Sequence, residues 1–392
     1  MLIRQARTHE RPEGCNLVLA DGKVADVTAA AAGAGLDVAG RVVLPAFVDA
    51  HVHLDKAYLT ADCGPHLSAV LSAMAARRAS TTSAETARLA RRAADALVHN
   101  GTTAARVQVE IDPVVGIDLL TMHLDLAAAV ADRLALQLVA FPQNGLAAPG
   151  MPELLARALA EGAHVVGGVP YVDADPAAHL DVVFGLAEQW QLPVDLHLDF
   201  TDDPSASLIP LVAERTAALG MAGRVNIGHV TSLAAMDPYT QASMLESLAA
   251  QGISLVVLPV TDVYLMGHGE PGTRSMAPYE RATAAGVRTA IGNNNIGNAF
   301  APFGNANQLQ AAWLAGLLRR ATDPAALLAA VTSEPAAILG LEPHGTEPGQ
   351  WADLVVLDHD EVSTALLQSP PVRTVVRRGR PLAAWQPAPL SG

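Results

Sequence analysis

Two rhythms of apolar and polar positions alternate along most of this chain. Near-continuous apolar runs rich in β-branched residues cover 42–55, 102–111, 134–143, 164–172, 192–200, 224–232, 253–262 and 288–295. Unbroken apolar character, rather than strict alternation, is expected of parallel strands buried on both faces. Between the runs lie Ala/Leu/Arg stretches of helical spacing, including 84–99, 151–161, 176–191, 210–219 and 233–250. Eight strand–helix repeats over about 300 residues predict an α/β fold, a (β/α)8 barrel. The ends read differently. Residues 1–45 show short strands around the turn Asp21-Gly22, and 349–384 return to strand and turn with 352–358 and 372–376. The likeness of the two ends predicts that they pair into one small β-domain beside the barrel. The closing QPAPLSG is expected to fray.

Composition narrows the function classes. The chain has 392 residues, 51% apolar and 16% charged, which excludes intrinsic disorder. A net charge of −14 argues against nucleic acid or an anionic membrane as partner. Two cysteines, Cys15 and Cys63, cannot build a disulfide framework, so a reducing compartment is expected. The charged N-terminus lacks an apolar signal core, and the most apolar stretches carry Asp and Arg. A soluble, cytoplasmic protein acting on a small molecule is the expectation. Gly267-His-Gly-Glu-Pro-Gly272 spells a dinucleotide fingerprint but carries an acid and a proline, and reads as a loop after the seventh strand. The sequon at Asn100 has no secretory context.

The candidate chemistry lies at strand ends. His51 and His53 close the first run, and residues i and i+2 of a strand share one face. His197 closes the fifth run and His229 the sixth. Four imidazoles therefore collect at the C-terminal mouth, where barrel active sites sit, and imidazole suits zinc or iron. Lys56 is one of two lysines in the chain and follows His53 by three residues. It is placed to hold an anionic group or a developing oxyanion. Gln143 ends the third run and offers both a donor and an acceptor to a lactam or amidine edge.

The segments LPAFVDAHVHLDK, VAFPQNG, DLHLD, IGHVTS and PGQWADLVVLD occur in this order over nearly the whole chain. Together they resemble the amidohydrolase superfamily, and within it the cytosine deaminases and N-alkylammelide (s-triazine) hydrolases. His-x-His-x-Asp-Lys is closer to the triazine hydrolase type. The resemblance implies a barrel over 46–344 and a β-sandwich built from 1–45 plus 345–392. It implies one divalent metal, zinc or iron, with His51, His53 and His197 as ligands. It gives His229 the hydrogen bond to water or substrate, and Gln143 the reading of the substrate ring. A two-metal centre with a carboxylated lysine is excluded, because no lysine follows Lys56. A homo-oligomer is compatible with what related enzymes do.

Three positions depart from the family pattern. Asn294 stands where the last ligand, an aspartate, is expected. Phe200 replaces a glutamate, and Gln108 a strand-two histidine. With neutral ligands the ion keeps its full charge, so bound water is more acidic and the ion less tightly held. Another base is then required. Asp199, two residues beyond His197, is expected to face the mouth and serve. Asp262 is in reserve, Asp202 and Asp203 follow in a loop, and His229 is the acid or donor. Substrate contacts are expected from Gln143, Gln108, Phe200, Asn294 and Asp262, with Tyr264, Met266 and Arg274 as further lining. The segment 59–80 is not readable for shape. The expected activity is hydrolysis of a C–N bond in a small nitrogen heterocycle. Loss of both family carboxylates leaves two alternatives: a barrel turned to non-hydrolytic chemistry (dehydration, cyclisation or elimination), or a catalytically silent binding protein.

Overall fold

A computed structural model describes residues 1–30, 33–64, 66–267 and 276–382. Eight parallel strands form the central sheet: Phe47–Val52, Thr102–Glu110, Ala135–Phe141, Val165–Gly168, Val194–Leu198, Val225–His229, Ser254–Val257 and Thr289–Ile291. Each pairs with the next in chain order. The ring closes between its ends, where the His53 amide donates to the Asn294 carbonyl at 2.7 Å and the Asn294 amide to the His51 carbonyl at 2.9 Å. Every residue of the first two strands is buried, the two-sided burial that their unbroken apolar character required.

The helices lie outside the ring. Ser83–His99 starts from Thr82, whose hydroxyl accepts the Glu85 amide. Pro176–Trp190 and Pro238–Ala250 are capped by Asp175 and Asp237, with proline in the first turn. The expected elements are present, with adjustments. The stretch 233–250 is a short turn, Thr231–Ala235, and a separate helix that Asp237 starts at Pro238, and the fourth run's strand ends at Gly168. The first apolar run is two strands, because Val43–Pro45 leaves the barrel and pairs with Leu354–Leu357. The seventh run stops at Val257, and Pro259 opens a helix, Pro259–Leu265. The unread segment 59–80 contains a helix, Leu67–Ala79, beside the mouth.

The chain ends form two four-stranded sheets. One holds Leu2–Ala6, Cys15–Ala20, Lys23–Thr28 and Leu36–Asp37; the other holds Val43–Pro45, Leu354–Leu357, Val372–Arg377 and Arg380–Pro381. Ile3, Leu17, Val24, Val43, Leu354 and Val376 pack into one shared core between them. The chain returns to the barrel in between, where helix Val362–Gln368 buries Val362, Ala365 and Leu366 in the barrel's outer core. The terminal QPAPLSG and most of the GxGxxG segment lie outside the described residues.

Candidate active site

The first strand carries Asp49, His51 and then His53 inward, one above the other toward the C-terminal mouth. The fifth strand brings His197, and the sixth ends on His229. All four imidazoles are at most 5% exposed. The His197 Nε2 lies 3.2 Å from that of His51 and 3.3 Å from that of His53. This is about the separation of two nitrogen ligands on one zinc ion. Burial, reinforced by neighbouring positive charge, holds His51, His53 and His197 well below the usual imidazole range. They are therefore neutral, the form a metal ligand must take. Phe141 stacks on His197 at 4.1 Å and fixes its plane. The side-chain oxygen of Asn294 is buried at the same mouth with no hydrogen-bond partner. Convergent neutral nitrogens beside an orphaned carbonyl oxygen fit a divalent cation.

One ring nitrogen from each of His51, His197 and His229 lies within 4.8 Å of the other two. His229 is oriented by Asp262, whose Oδ1 accepts from its Nδ1 at 2.6 Å. Its backbone takes φ of +71°, and Val230 follows at +51°. Such angles are strained for a β-branched residue. The sharp turn keeps the ring at the mouth, where Phe200 packs on it at 4.1 Å between centroids.

Beneath the imidazoles lies a buried polar layer. Asp195 accepts from Arg106 at 2.8 Å, Gln108 at 3.0 Å and Asn226 at 2.9 Å. Its Oδ1 is 3.8 Å from His51 Nδ1, and Gln108 Nε2 is 3.4 Å from that atom. Deeper still, Asp49 accepts from the His51 amide and from Asn293, and burial pushes its carboxyl up to about 7.

Above the imidazoles opens a cavity of about 650 Å³. One wall is polar. Lys56 Nζ donates to Gln143 Oε1 at 2.6 Å and lies 4.0 Å from Glu110, which meets Arg78 at 3.1 Å. Desolvation raises the Glu110 carboxyl, against the pull of Lys56 and Arg78. The lining is otherwise largely apolar, with Leu67, Leu71 and Met74 from helix Leu67–Ala79, which also carries Arg78, and the ring of Phe300, centred 5.6 Å from Lys56 Nζ.

The amidohydrolase family model matches residues 66–383, most of the chain. The chain belongs to the amidohydrolase family. It is 29% identical over 380 residues to a pterin deaminase of Rhizobium rhizogenes, covering 93% of this chain and 87% of the relative. It is 26% identical over 405 residues to an N-isopropylammelide isopropyl amidohydrolase of Pseudomonas sp., covering 97% and 96%. Among solved structures, 5-methylcytosine deaminase from Klebsiella pneumoniae, liganded with phosphonocytosine, superposes with a TM-score of 0.91 at 27% identity over 99% of each chain.

Against the sequence expectations, His53, Lys56, Gln143, His197, Phe200, His229 and Asn294 all line the cavity, while His51 sits just below it. Several expected residues do not reach it. Asp199 takes a left-handed φ of +46°, which ends the strand's alternation. Its carboxylate turns away to accept from Ser207 Oγ and the Leu208 amide, tethering the loop ahead of helix Ile209–Ala218. It is not placed to serve as the base. Asp262 lies on a helix rather than a strand end, behind His229, and touches no cavity surface. Gln108 is buried below His51 and is committed to Asp195, so it holds the floor instead of touching substrate. Asp202 and Asp203 are occupied with the Gly267 and Ser205 amides. Tyr264 and Met266 do not line the cavity themselves but pack in the apolar cluster that backs its lining residues Leu71, Met74, Phe200 and Phe300, and Arg274 lies outside the described residues.

Sequence reasoning missed Glu110 and Arg78. Glu110 was within reach, because two-residue alternation from Arg106 and Gln108 puts it on the inner face. Arg78 had a fainter signal in the spacing of Leu67, Leu71 and Met74, one stripe of a helix.

Proposed function

We propose that this chain is a metal-dependent hydrolase that cleaves a C–N bond in a small nitrogen heterocycle, by deamination or by opening a cyclic amide or amidine. The observation that carries this reading is the convergence of four buried histidines from three strands on one cavity of heterocycle size. The relatives' own substrates, a pterin, an N-alkylated triazine and a methylated cytosine, support the heterocycle.

His51, His53 and His197 would hold one divalent ion, zinc or iron, with Asn294 beside them. When bound, such an ion supplies Lewis-acid chemistry that makes water nucleophilic near neutral pH and polarises the substrate. The chain's own groups do the rest. Lys56 and Gln143, bonded to each other in this structure, can exchange that bond for the polar edge of a ring. Phe200 and Phe300 offer apolar faces to its plane. Hydrolysis takes a proton from water and delivers one to the departing nitrogen. The titratable cavity groups suited to carry it are His229, oriented by Asp262, and Glu110, whose raised pKa favours holding a proton. Asn294 cannot accept a proton, so this task cannot fall to it. A small-molecule partner belongs to the same reading.

The test pairs metal analysis with turnover. Protein purified without chelator, as wild type and Asn294→Asp, is assayed for zinc and iron by mass spectrometry. It is then assayed for amine release from cytosine, 5-methylcytosine, pterin and N-isopropylammelide. The expected result is one divalent ion per chain in the wild type, tighter retention in Asn294→Asp, and turnover that stops when the ion is stripped. Stripped protein as active as loaded protein would sink the reading.

A further inference from the structure

We infer that His229 is itself a metal ligand in this chain, and that Asp262 supplies, through it, the negative charge that Asn294 cannot. The inference rests on the metal-dependent reading above and changes the expected ligand set. That set was His51, His53, His197 and a strand-eight side chain. The structure adds a fourth imidazole to the three. Among the described residues, His51, His197 and His229 bring ring nitrogens mutually within 4.8 Å, while His53 Nε2 stays 3.3 Å from His197 Nε2, so His229 joins the cluster rather than replacing a member. The His229 ring is 5.3 Å from that of His197, as close as the His53 ring at 5.4 Å.

Three further observations point the same way. First, the Nδ1 of His229 is committed to Asp262 at 2.6 Å, which leaves Nε2 as the atom facing the other imidazoles. Metal-bound histidines usually carry such a carboxylate on the far nitrogen. Here His229 has the shortest one. His51 Nδ1 is 3.8 Å from Asp195, His53 Nδ1 is 4.0 Å from Asp55, and His197 Nδ1 has no hydrogen-bond partner. Second, Asp262 is itself fixed, because its other oxygen accepts the Leu258 amide at 3.1 Å. Third, the His229 ring is held from the cavity side by Phe200, the residue standing where the family pattern has a glutamate. An apolar ring there gives His229 no competing hydrogen-bond partner.

The electrostatic logic is simple. Four neutral imidazoles leave a divalent ion uncompensated in a buried site. A carboxylate on the far nitrogen of one imidazole makes that ring a stronger donor and returns part of the missing charge. His229 bound in this way cannot also shuttle protons, and the proton role passes to Glu110.

The experiment uses metal-stripped full-length protein and does not need a substrate. Zinc affinity is measured by competition with a chromophoric chelator for wild type, His229→Asn, Asp262→Asn and Asn294→Ala. Asp262→Asn is expected to lower affinity by about 10–100-fold, the usual effect of removing a ligand's carboxylate support, and His229→Asn by at least as much. Asn294→Ala is expected to lower it less than either, because the amide oxygen it removes carries no charge. A second readout needs no variant: in the cobalt-loaded wild type, paramagnetic NMR counts the shifted, exchangeable imidazole N–H signals. Four are expected with His229 bound and three without. Wild-type affinity in His229→Asn, or three signals, would overturn the inference and leave the hydrolase reading standing. A wild type that takes up neither zinc nor cobalt would remove both.

Discussion

Asp195 carries much of the site at the scale of one residue. Its fully buried carboxylate is the counter-charge for Arg106, itself 1% exposed, and an acceptor for Gln108 and Asn226. Removing one partner of a buried ion pair strands the other charge in low dielectric. Asp195→Ala is therefore expected to cost about 3–5 kcal/mol of stability by urea denaturation, and a loss near zero would mean the layer does not hold the barrel floor. The contrast with Asp199 is instructive. Both acids sit two residues from His197 in the sequence, and alternation treats them alike. Asp195 obeys, whereas Asp199 falls just beyond Leu198, where the left-handed backbone redirects the side chain into the loop. Which way a carboxylate points is legible inside a strand and is lost one residue past its end.

At the scale of elements, the mouth depends on how closely neighbouring strands can approach. Gly228, on the sixth strand, leaves space that the first strand's His51 fills. A Cβ there would lie 3.1 Å from His51 Nδ1 and 3.2 Å from Cε1. Gly228→Ala is expected to displace the His51 ring and weaken zinc binding about tenfold or more, with the fold retained. Chelator competition and far-ultraviolet circular dichroism on the same sample check both halves. Unchanged affinity would show that the ring yields without consequence. Helix Leu67–Ala79 makes the opposite point about legibility. Its side-chain cap is missing and its first turn has no acid, so the usual start signals are absent. Its apolar stripe has meaning only because the cavity lies beneath it. The helix brings Arg78 to Glu110, a pairing between residues 32 apart that no local pattern announces.

At the scale of the whole molecule, the barrel and the terminal sheets are pinned where the chain passes between them. His344 Nε2 lies 2.8 Å from the Ala46 carbonyl, at the joint between Val43–Pro45 and the first barrel strand. Burial is the largest influence on His344 and holds its pKa below the ordinary 6.5. The sign follows directly: the unfolded chain takes up the proton first, so this contribution to stability is present above about pH 6.5 and is lost as pH falls below it. His344→Gln keeps a donor but does not titrate. The stability of wild type relative to this variant is therefore expected to fall between about pH 7 and pH 5, by calorimetry at matched conditions. A difference that stays constant or grows would refute the assignment.

The sequence by itself determined the order of strands and helices and the gathering of His51, His53, His197 and His229 at one end of the barrel. Both follow from periodicities of two and 3.6 residues, which are local properties of the backbone. It also marked Lys56 and Gln143, which meet at 2.6 Å. The tertiary structure decided which carboxylates face the cavity. Asp199 was turned out by a left-handed residue, Asp262 was moved behind His229 by a proline-started helix, and Glu110 was brought in beside Arg78 and Lys56. Beyond a strand's last residue, side-chain direction is set by the loop's backbone angles and by what packs against it. Those depend on partners distant in the chain, and no periodic pattern encodes them.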